Sequence, residues 1–507
     1  MFTPLTNRRI PAVMATQHPD NAGTPFWHTT PFIGDQDEVD ELFHNLSVLG
    51  NDEYMWDWEG KFADEAMIEK LVSKYYDFFS KKQIGRDVYI TLRIPNIWEE
   101  KSFKLSRAYM SILSAAEFTK SLELQAPPVF EVILPMTKQA DQLIYIQDTF
   151  QKTSNFKQSV FGDSELGEGF VHIVPIFESF DDLVYSNDLL EEYLEKFKAV
   201  FKFTPDHLRT FIARSDPALN AGFIPAALAC KIALRNFARL EQKTGIAISP
   251  IIGCGSLPFR GGLTPENIDE ILDLYAGAKT LTIQSAFRYD YPLEVVQQAV
   301  AKIQELLPKQ TAADFTDDEV TGLIKLSENF KNHYCQTIEQ IAPLINEFNA
   351  FIPKRRARVQ HIGLFGYSRG VGQAQLPRAI GFTGALYTMG LPPEFIGTGR
   401  ALAEIEKAGS LPLLDKAFPA MRNWLVKAGR MINIENIKAL SHDYPALKEV
   451  LKDIELVEKV LDLDLQPKNV NELLHRNLTS NILLKKNAGL PFDADVVEAA
   501  KLRKSIG

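Results

Sequence analysis

Short apolar runs alternate with longer amphipathic stretches over the first 300 residues of the chain. The runs are rich in Val, Ile and Phe and almost uninterrupted by polar residues, which is typical of parallel strands covered on both faces. They begin roughly 30–40 residues apart, the spacing of one strand–helix unit. We predict eight strands: Ala12–Thr16, Glu53–Trp58, Val88–Ile94, Val129–Leu134, Val171–Phe177, Leu208–Ala213, Ile246–Ile252 and Thr280–Phe287.

The stretches between these runs show helical periodicity. Apolar side chains recur three and four positions apart over Asp37–Leu49, Ala63–Phe79 and Ala221–Leu240. The segment Thr264–Glu266 supplies an N-cap, a proline and an acid in the order that begins a helix. Eight strand–helix repeats predict a closed (β/α)₈ barrel, a TIM barrel. An open doubly wound sheet is the alternative, but it more often shows a glycine-rich nucleotide loop after its first strand, and none follows here.

The composition of the chain changes from about residue 300, where Leu, Lys and Glu are frequent. A glycine-rich segment at 358–373 interrupts the helical pattern. We therefore predict a barrel over residues 1–300 that carries the site, and a mainly α-helical region over 301–507 packed on it, with 358–373 as an active-site loop. Helical periodicity is seen at Leu323–Phe330, Ile338–Phe351, Ala401–Ala408, Ile437–Leu463 and Val470–Leu484.

Composition narrows the class of protein. Of 507 residues, 45% are hydrophobic and 24% charged, so a disordered chain, a collagen-like fibre and a disulfide scaffold are excluded. The net charge of −10 argues against nucleic acid as a partner, although a few converging arginines could still hold an anionic substrate. The three cysteines are too widely spaced for structural zinc or a disulfide framework. Without a leader-like N-terminus or a long apolar run, we expect a cytoplasmic protein with no membrane segment.

Two acids follow adjacent predicted strands, at the end where (β/α)₈ barrels place their active sites. Glu178 lies in the segment VPIFES, directly after the apolar run, and Asp216 ends the segment IARSD. Carboxylates at the tips of neighbouring parallel strands, about 4.8 Å apart, can share a hard cation such as Mg²⁺. The alternative is that each acid caps the helix that follows, with Asp216 as the N-cap and Pro217 as the first helical residue.

Two further features suit an anionic substrate. His18, in ATQHPD after the first strand, could exchange protons near neutral pH or donate to an oxyanion; a turn histidine bonded to backbone is the alternative. The glycine-rich loop 253–262 follows the seventh strand, where such barrels often bind phosphate. Gly261 and Gly262 would let backbone N–H groups approach an anion and Arg260 would offer a bidentate fork, whereas the alternative is a plain turn.

More positive charge comes from Arg93 in LRIPN, Arg288 in QSAFRYDYP and Arg369 in GYSRGVGQ. A substrate with both phosphate and carboxylate needs several such groups, although a single arginine is more often a surface ion-pair partner. The basic cluster at 354–358 is more typical of a solvated surface than of a binding site. The segment Trp56–Glu59 fits either packing and capping or a strand whose inward acids join the site.

Five motifs in order resemble the archaeal-type phosphoenolpyruvate carboxylases, the short branch of that enzyme class. They are ATQHPD, VPIFES, IARSDPALNAG, GCGSLPFRGG and QSAFRYDYP, and the resemblance continues through GLFGYSRG over most of the chain. It implies a cytoplasmic, anaplerotic lyase that uses Mg²⁺, for which Mn²⁺ can substitute. It also implies a homotetramer, for which the helical C-terminal third would provide the subunit contacts.

The resemblance implies an irreversible carboxylation. Bicarbonate attacks the phosphorus of phosphoenolpyruvate, which gives carboxyphosphate and the enolate of pyruvate. Carboxyphosphate releases CO₂, and the enolate captures it to form oxaloacetate and phosphate. The site residues implied by the resemblance are the metal ligands Glu178 and Asp216, the catalytic residues His18, Arg260 and Arg288, and the substrate contacts Arg93, Arg369, Gly261 and Gly262.

The chain departs from the longer bacterial and plant relatives at several places. The segment Ile252–Ser256 lacks the histidine and arginine of their HGRGG element, and Leu219 replaces a lysine that follows their metal-binding aspartate. Their C-terminal inhibitor site has no clear match beyond Arg476–Asn477, so feedback inhibition of that kind is not expected. Two other hypotheses stay open: another metal-dependent TIM-barrel lyase acting on a pyruvate enolate, and a non-catalytic barrel that binds a metabolite.

Overall fold

Eight parallel strands close into a barrel in which each strand pairs with the next in chain order. The computed structural model describes residues 9–58, 64–99, 103–162, 170–357, 369–371 and 374–507. β8 closes the barrel on β1 by pairing Leu281 with Val13, which confirms the predicted (β/α)₈ architecture. The strands are β1 (Val13–Thr16), β2 (Glu53–Asp57), β3 (Tyr89–Arg93), β4 (Glu131–Leu134), β5 (His172–Phe177), β6 (His207–Ala213), β7 (Ala247–Gly253) and β8 (Thr280–Ile283).

Helices connect the strands on the outside of the barrel. They are α1 (Glu38–Ser47), α2 (Met67–Lys74), α3 (Tyr76–Phe79), α4 (Phe103–Ser121), α5 (Ala140–Phe161), α6 (Phe180–Val184), α7 (Ser186–Phe201), α8 (Ser215–Ala221), α9 (Phe223–Thr244), α10 (Ile268–Leu274), α11 (Ser285–Tyr289) and α12 (Leu293–Leu306). Every residue of α9 from Phe223 to Arg235 is buried, because α13 (Asp317–Asn349), from the C-terminal region, packs against its outer side. This double burial explains the alanine-rich, nearly uniform hydrophobicity of α9.

Two predicted boundaries are wrong for local reasons. The last apolar run does not stay a strand to Phe287, because β8 ends at Ile283 and Phe287 is a buried residue of α11. A short apolar run cannot distinguish a strand from a buried helical turn. The segment Thr264–Glu266 does not begin a helix, because Thr264 N–H and Oγ1 both donate to Asn267 Oδ1 at 2.9 Å in a turn. α10 therefore begins only at Ile268.

The C-terminal region is mainly helical, as predicted. α13 merges two predicted stretches and tolerates Pro343 in its interior. It begins with a capping box in which Thr316 Oγ1 accepts from Glu319 N–H at 3.1 Å. After α13 come β9 (Arg369–Val371), β10 (Ala374–Leu376), α14 (Ala379–Thr388), α15 (Thr398–Lys407), α16 (Leu411–Ala417), α17 (Met421–Gly429), α18 (Ile434–Leu440), α19 (Leu447–Leu461), α20 (Val470–Asn487) and α21 (Asp493–Leu502).

Three other expectations can be compared with the described chain. The boundary placed at residue 300 falls inside α12, and the division into two domains stays a prediction. All three cysteines are free, so the fold contains no disulfide cross-link. Among the described residues, no helix combines the length and the apolar character that crossing a membrane requires.

The interior of the barrel is stacked in layers. At the amino ends of the strands, Arg209 donates to Glu53 at 2.8–2.9 Å, to Glu131 at 2.7 Å and to Thr280 Oγ1 at 3.0 Å. These four residues come from alternate strands, and we call them the lower ionic layer. Above them lies an apolar layer, which consists of Met14, Met55, Ile133, Val174, Ile176, Phe211, Ala213 and Ile251. The interior of the barrel is therefore a core filled by side chains.

Candidate active site

A small cavity of about 50 Å³, which we call the mouth cavity, opens at the carboxyl ends of the barrel strands. Four of the predicted site residues line it together: His18, Arg93, Glu178 and Asp216. Their positions in the sequence span some 200 residues, and only closure of the barrel brings them to one opening. The same cavity is lined by Arg214, Ser215 and Gln284, which we had not singled out.

The two carboxylates follow neighbouring strands. β5 and β6 pair through Ile176–Phe211 and Phe177–Ile212, so Glu178 and Asp216 leave the sheet side by side. Glu178 is 7% exposed, and Asp216 is half-buried. Both acids therefore line the same opening.

Helix capping does not explain either acid. Ser179, the residue after Glu178, caps α6, because its Oγ accepts from Asp182 N–H at 3.1 Å. α8 begins at Ser215, so Asp216 lies inside its first turn and is not the N-cap. The position in the first turn places a negative charge at the positive end of the helix. The alternative offered by the sequence for these two residues is thus wrong.

The histidine is held by its own strand. His18 Nδ1 lies 2.9 Å from Thr16 Oγ1, and the ring is half-buried at the mouth cavity. The backbone carbonyl of His18 accepts from the N–H groups of Asp20 at 3.1 Å and Ser285 at 3.3 Å. These contacts connect the loop after β1 to the start of α11 and fix where the imidazole stands.

Arg93 brings a partly neutralised positive charge to the cavity. Its Nε and Nη2 donate to the two carboxylate oxygens of Asp57, at 2.9 and 2.6 Å. Asp57 faces Arg93 directly across the β2–β3 pair, and its N–H donates to Gln17 Oε1 at 2.9 Å. Of the two acids in the segment Trp56–Glu59, Asp57 thus orients Arg93. Glu59 lies outside the described residues.

Arg260 lies behind the cavity rather than on its lining. It is 1% exposed, and its guanidinium donates to Asp20 Oδ2 at 3.0 Å, to the carbonyl oxygen of Gly507 and to Gln284 Oε1. Burial raises the pKa of Asp20, and the Arg260 guanidinium and the Ala286 N–H act in the opposite direction. Arg260 therefore reaches the opening through the side chain of Gln284.

Arg288 is also directed away from the cavity. It is fully buried, and it donates to Asn45 Oδ1 at 2.7 Å and to the carbonyl of Thr16 at 2.6 Å. Glu41 lies 3.3 Å from its Nη2. In this structure the guanidinium fixes the end of β1, two residues before His18, and its predicted catalytic role remains a prediction.

The loop glycines allow close packing. The N–H groups of Gly261 and Gly262 donate to the carbonyls of Pro258 and Leu257, at 3.1 and 3.0 Å, so they are directed into the loop. A Cβ on Gly261 would lie 3.0 Å from Arg214 Cγ, and both glycines have positive φ. Both N–H groups are thus used within the loop, and their predicted contact with an anion stays a prediction.

Part of the predicted site lies outside the described residues. Residues 358–368 and 372–373 of the glycine-rich segment are among them. Arg369 begins the short strand β9, which pairs with β10, and its side chain is not described. The roles of Arg369 and of this loop stay predictions.

The prediction that the basic cluster at 354–358 is solvated surface is wrong for Arg355 and Arg356, whereas Lys354 is exposed and Arg358 lies outside the described residues. Arg355 donates to the carbonyl of Asn21 at 3.0 Å, and Arg356 Nη2 donates to Glu41 at 2.5 Å. Both arginines are buried, at 7% and 3% exposure. Their partners are more than 300 residues away in the sequence, which is why local charge patterning could not identify them.

Arg214 is the most informative cavity residue that we had not singled out. It is fully buried between α9 and the loop after β7, where Nη1 donates to the carbonyl of Phe259 and Nη2 to that of Phe223, both at 3.1 Å. It directly precedes the Ser215–Asp216 pair, so its place at a strand end was the available signal.

Two larger hollows lie elsewhere. One of about 710 Å³ lies between α13, α15 and α19, and one of about 640 Å³ lies outside the barrel beside α6 and α7. Some of their charged groups pair with one another, as His333 does with Glu404 at 2.9 Å and Lys138 with Asp182. Neither hollow contains a predicted site residue, so size alone does not mark the site.

A (β/α)₈ barrel that gathers two acids, a histidine and two arginines at its mouth has the site of an enzyme. The phosphoenolpyruvate carboxylase family model matches residues 10–507. Phosphoenolpyruvate carboxylase of Leuconostoc mesenteroides is 39% identical over 506 residues, covering 99% of this chain and 100% of the relative. Those of Oenococcus oeni and Pyrococcus abyssi are 42% and 40% identical, covering 94% and 76% of this chain and 95% and 82% of theirs. The chain belongs to the phosphoenolpyruvate carboxylase family.

Solved structures add a more distant likeness. Malate synthase of Haloferax volcanii, crystallised at 3 mM glyoxylate, is 11% identical at a TM-score of 0.39, covering 81% of this chain and 98% of the other. Its lead(II) complex gives a TM-score of 0.38 at 10% identity, covering 89% and 99%.

Proposed function

We propose that this protein carboxylates phosphoenolpyruvate with bicarbonate, irreversibly, to give oxaloacetate and phosphate. The observation that carries the proposal is the joint lining of the mouth cavity by His18, Arg93, Glu178 and Asp216. The names of the relatives support the choice of reaction, since they are phosphoenolpyruvate carboxylases over nearly the whole length of this chain.

The donor set of the mouth cavity fits a magnesium ion. Glu178 and Asp216 supply carboxylate oxygens from adjacent strands, and Mg²⁺ commonly takes one or two carboxylates together with waters and substrate phosphate oxygens. Among the described residues, no group of three or more His, Cys, Asp or Glu side chains forms a closed metal cage. Two acids at an open mouth leave room for substrate oxygens, and Mn²⁺ can substitute because it prefers the same ligands. Such an ion would neutralise charge that develops on the enolate and phosphate oxygens.

The reaction also needs a proton donor or acceptor and positive charge near the substrate, and side chains at the mouth cavity can supply both. Bicarbonate attacks the phosphorus of phosphoenolpyruvate, and carboxyphosphate and pyruvate enolate result. His18 stands at the cavity to hold or move a proton at carboxyphosphate as it breaks down to CO₂. Arg93 and Arg214 bring positive charge toward the anionic substrate. The enolate must be kept from water until it captures CO₂, and the buried apolar residues Ile176 and Phe211 on the cavity lining favour this.

The decisive experiment measures oxaloacetate and phosphate with each reactant omitted in turn. We expect both products only when phosphoenolpyruvate, bicarbonate and Mg²⁺ are all present. Product formed without bicarbonate would favour another metal-dependent lyase that acts on a pyruvate enolate. No turnover under any condition, with phosphoenolpyruvate still bound, would favour a non-catalytic metabolite-binding barrel.

The same proposal includes a cytoplasmic homotetramer with an anaplerotic role. It is supported by the resemblance, and the helical C-terminal region offers the surface for subunit contacts. Light scattering on the purified protein tests it, since a mass near that of a single 57.1 kDa chain would contradict the tetramer.

A further inference from the structure

Gln284 lines the mouth cavity although its residue type offers no obvious chemistry. It follows Ile283 at the end of β8, and its backbone is extended before the chain turns into α11. Only 4% of the residue is exposed, yet it shares the cavity with His18 and Asp216. A polar side chain in this position is held by the protein and meets whatever fills the cavity.

The guanidinium of Arg260 decides which way the carboxamide of Gln284 faces. Arg260 Nη2 donates to Gln284 Oε1. An arginine has donors only, so the carbonyl oxygen of the carboxamide must face it and the NH₂ group must face away. Arg260 is itself held by Asp20, whose Oδ2 lies 3.0 Å from Nη1. A buried arginine–aspartate pair thus sets the orientation of Gln284.

The NH₂ group of Gln284 has no hydrogen-bond partner within the described part of the chain. A donor that lines a cavity and is not paired within the protein is available to an acceptor that enters the cavity. The same cavity is lined by two carboxylates, Glu178 and Asp216. The NH₂ group of Gln284 can donate a hydrogen bond there without adding a charge to the cavity. Its acceptor is therefore expected to come with the ligand.

We propose that Gln284 Nε2 donates a hydrogen bond to an anionic oxygen of the bound substrate. The shared chemistry is a carboxylate, phosphate or bicarbonate oxygen, all of which accept such a bond. Arg260 then acts as a positioning residue, because it reaches the substrate through Gln284. This inference rests on the proposed function, since that function supplies the anions.

The substitution Gln284→Glu separates the donor from a merely structural role. Glutamate keeps an oxygen for Arg260 but replaces the donor with a negative charge. We expect kcat/KM to fall about 100-fold or more, because losing a hydrogen bond to a charged group costs roughly 10- to 100-fold and the new charge repels the anion. Gln284→Met, which removes both functions, should fall about 10- to 100-fold. Gln340→Glu on the exposed face of α13 is the matched control and should change nothing.

The kinetic constants identify the oxygen. A raised KM for phosphoenolpyruvate assigns it to that substrate, a raised KM for bicarbonate assigns it to bicarbonate, and a fall in kcat alone assigns the contact to the transition state. Activity of Gln284→Glu within about twofold of wild type, at an unchanged melting temperature, would overturn the inference.

A binding measurement keeps this test independent of turnover. Calorimetry with phosphoenolpyruvate alone and with bicarbonate alone compares wild type with Gln284→Glu. If wild type forms no oxaloacetate, the proposed function fails, and Gln284 is judged by binding. Weaker binding of either anion by the variant supports the contact, and equal affinity for both overturns it.

Discussion

Charged residues gather at both ends of the barrel, and the two ends use them differently. At the amino end, Arg209 is fully buried between Glu53 and Glu131, and its terminal nitrogens donate only to protein oxygens. At the carboxyl end, Glu178 and Asp216 line a cavity. The charged groups of the lower ionic layer are paired within the protein, whereas the acids at the mouth line a cavity.

From this difference we expect charge to serve stability at the amino end and chemistry at the mouth. A buried charge is tolerated when its partners come from the same rigid sheet, as they do in the lower ionic layer. In (β/α)₈ barrels, groups at the carboxyl ends of strands are those that loops leave accessible. Substitutions at the mouth should therefore impair catalysis without unfolding the protein, and substitutions in the lower layer should do the reverse.

The largest effect is expected from Asp216→Asn. Loss of one carboxylate weakens the proposed metal site, so activity should fall by about 10³-fold or more while the melting temperature stays within a few degrees. Asp443→Asn, on an exposed turn, is the matched control. Full activity of Asp216→Asn at saturating Mg²⁺ would refute the ligand assignment.

Arg209→Met should produce the reverse pattern. It leaves Glu53 and Glu131 buried without their cation, and the free energy of unfolding should fall by about 3–5 kcal/mol in denaturant titration. KM values of the folded fraction should not change. Adding Glu53→Gln and Glu131→Gln to Arg209→Met should restore stability, and an unaffected single variant would show that the layer is not stabilising.

A buried acid behind the mouth sharpens the comparison. Glu394 accepts from Phe259 N–H and Tyr387 OH, both at 2.8 Å, and burial raises its pKa from 4.5 to about 7. A raised pKa contributes stability that is fully present below about pH 4.5 and is lost as the pH rises through about 7. Denaturation between pH 4.5 and 8 should show a loss on the order of 3 kcal/mol that Glu394→Gln abolishes. A variant with the same pH profile as wild type would contradict this.

His18→Asn should have a smaller effect than the loss of a carboxylate. Removal of a positioned acid–base group lowers kcat by about 10²-fold, with little change in stability because the ring is half-buried. His442→Asn on the surface serves as the control. If kcat of His18→Asn equals that of wild type at every pH between 6 and 8, a proton-transfer role for His18 is excluded.

The barrel was predictable because parallel strands that are buried on both faces appear in the sequence as nearly continuous apolar runs. The two acids were predictable for a related reason, since polar residues that follow such runs end at one edge of the barrel. His18 and Arg93 follow the same logic. Once the strands close into a barrel in chain order, these four residues line the same cavity.

The direction of the other arginines was not predictable. Arg260 and Arg288 stand at suitable positions in the sequence, but their guanidinium groups face buried acceptors from distant segments. Arg356 is buried for the same reason, with Glu41 as its partner. Side-chain direction depends on which acceptors the tertiary structure places nearby, and periodicity carries no information about that.

By itself the sequence determined the order of strands and helices, the closed barrel and the pair of acids, because burial and strand direction are encoded locally in residue patterns. Only the tertiary structure decided which arginines face the cavity and how Gln284 is turned, because those outcomes depend on hydrogen-bond partners contributed by segments far apart along the chain.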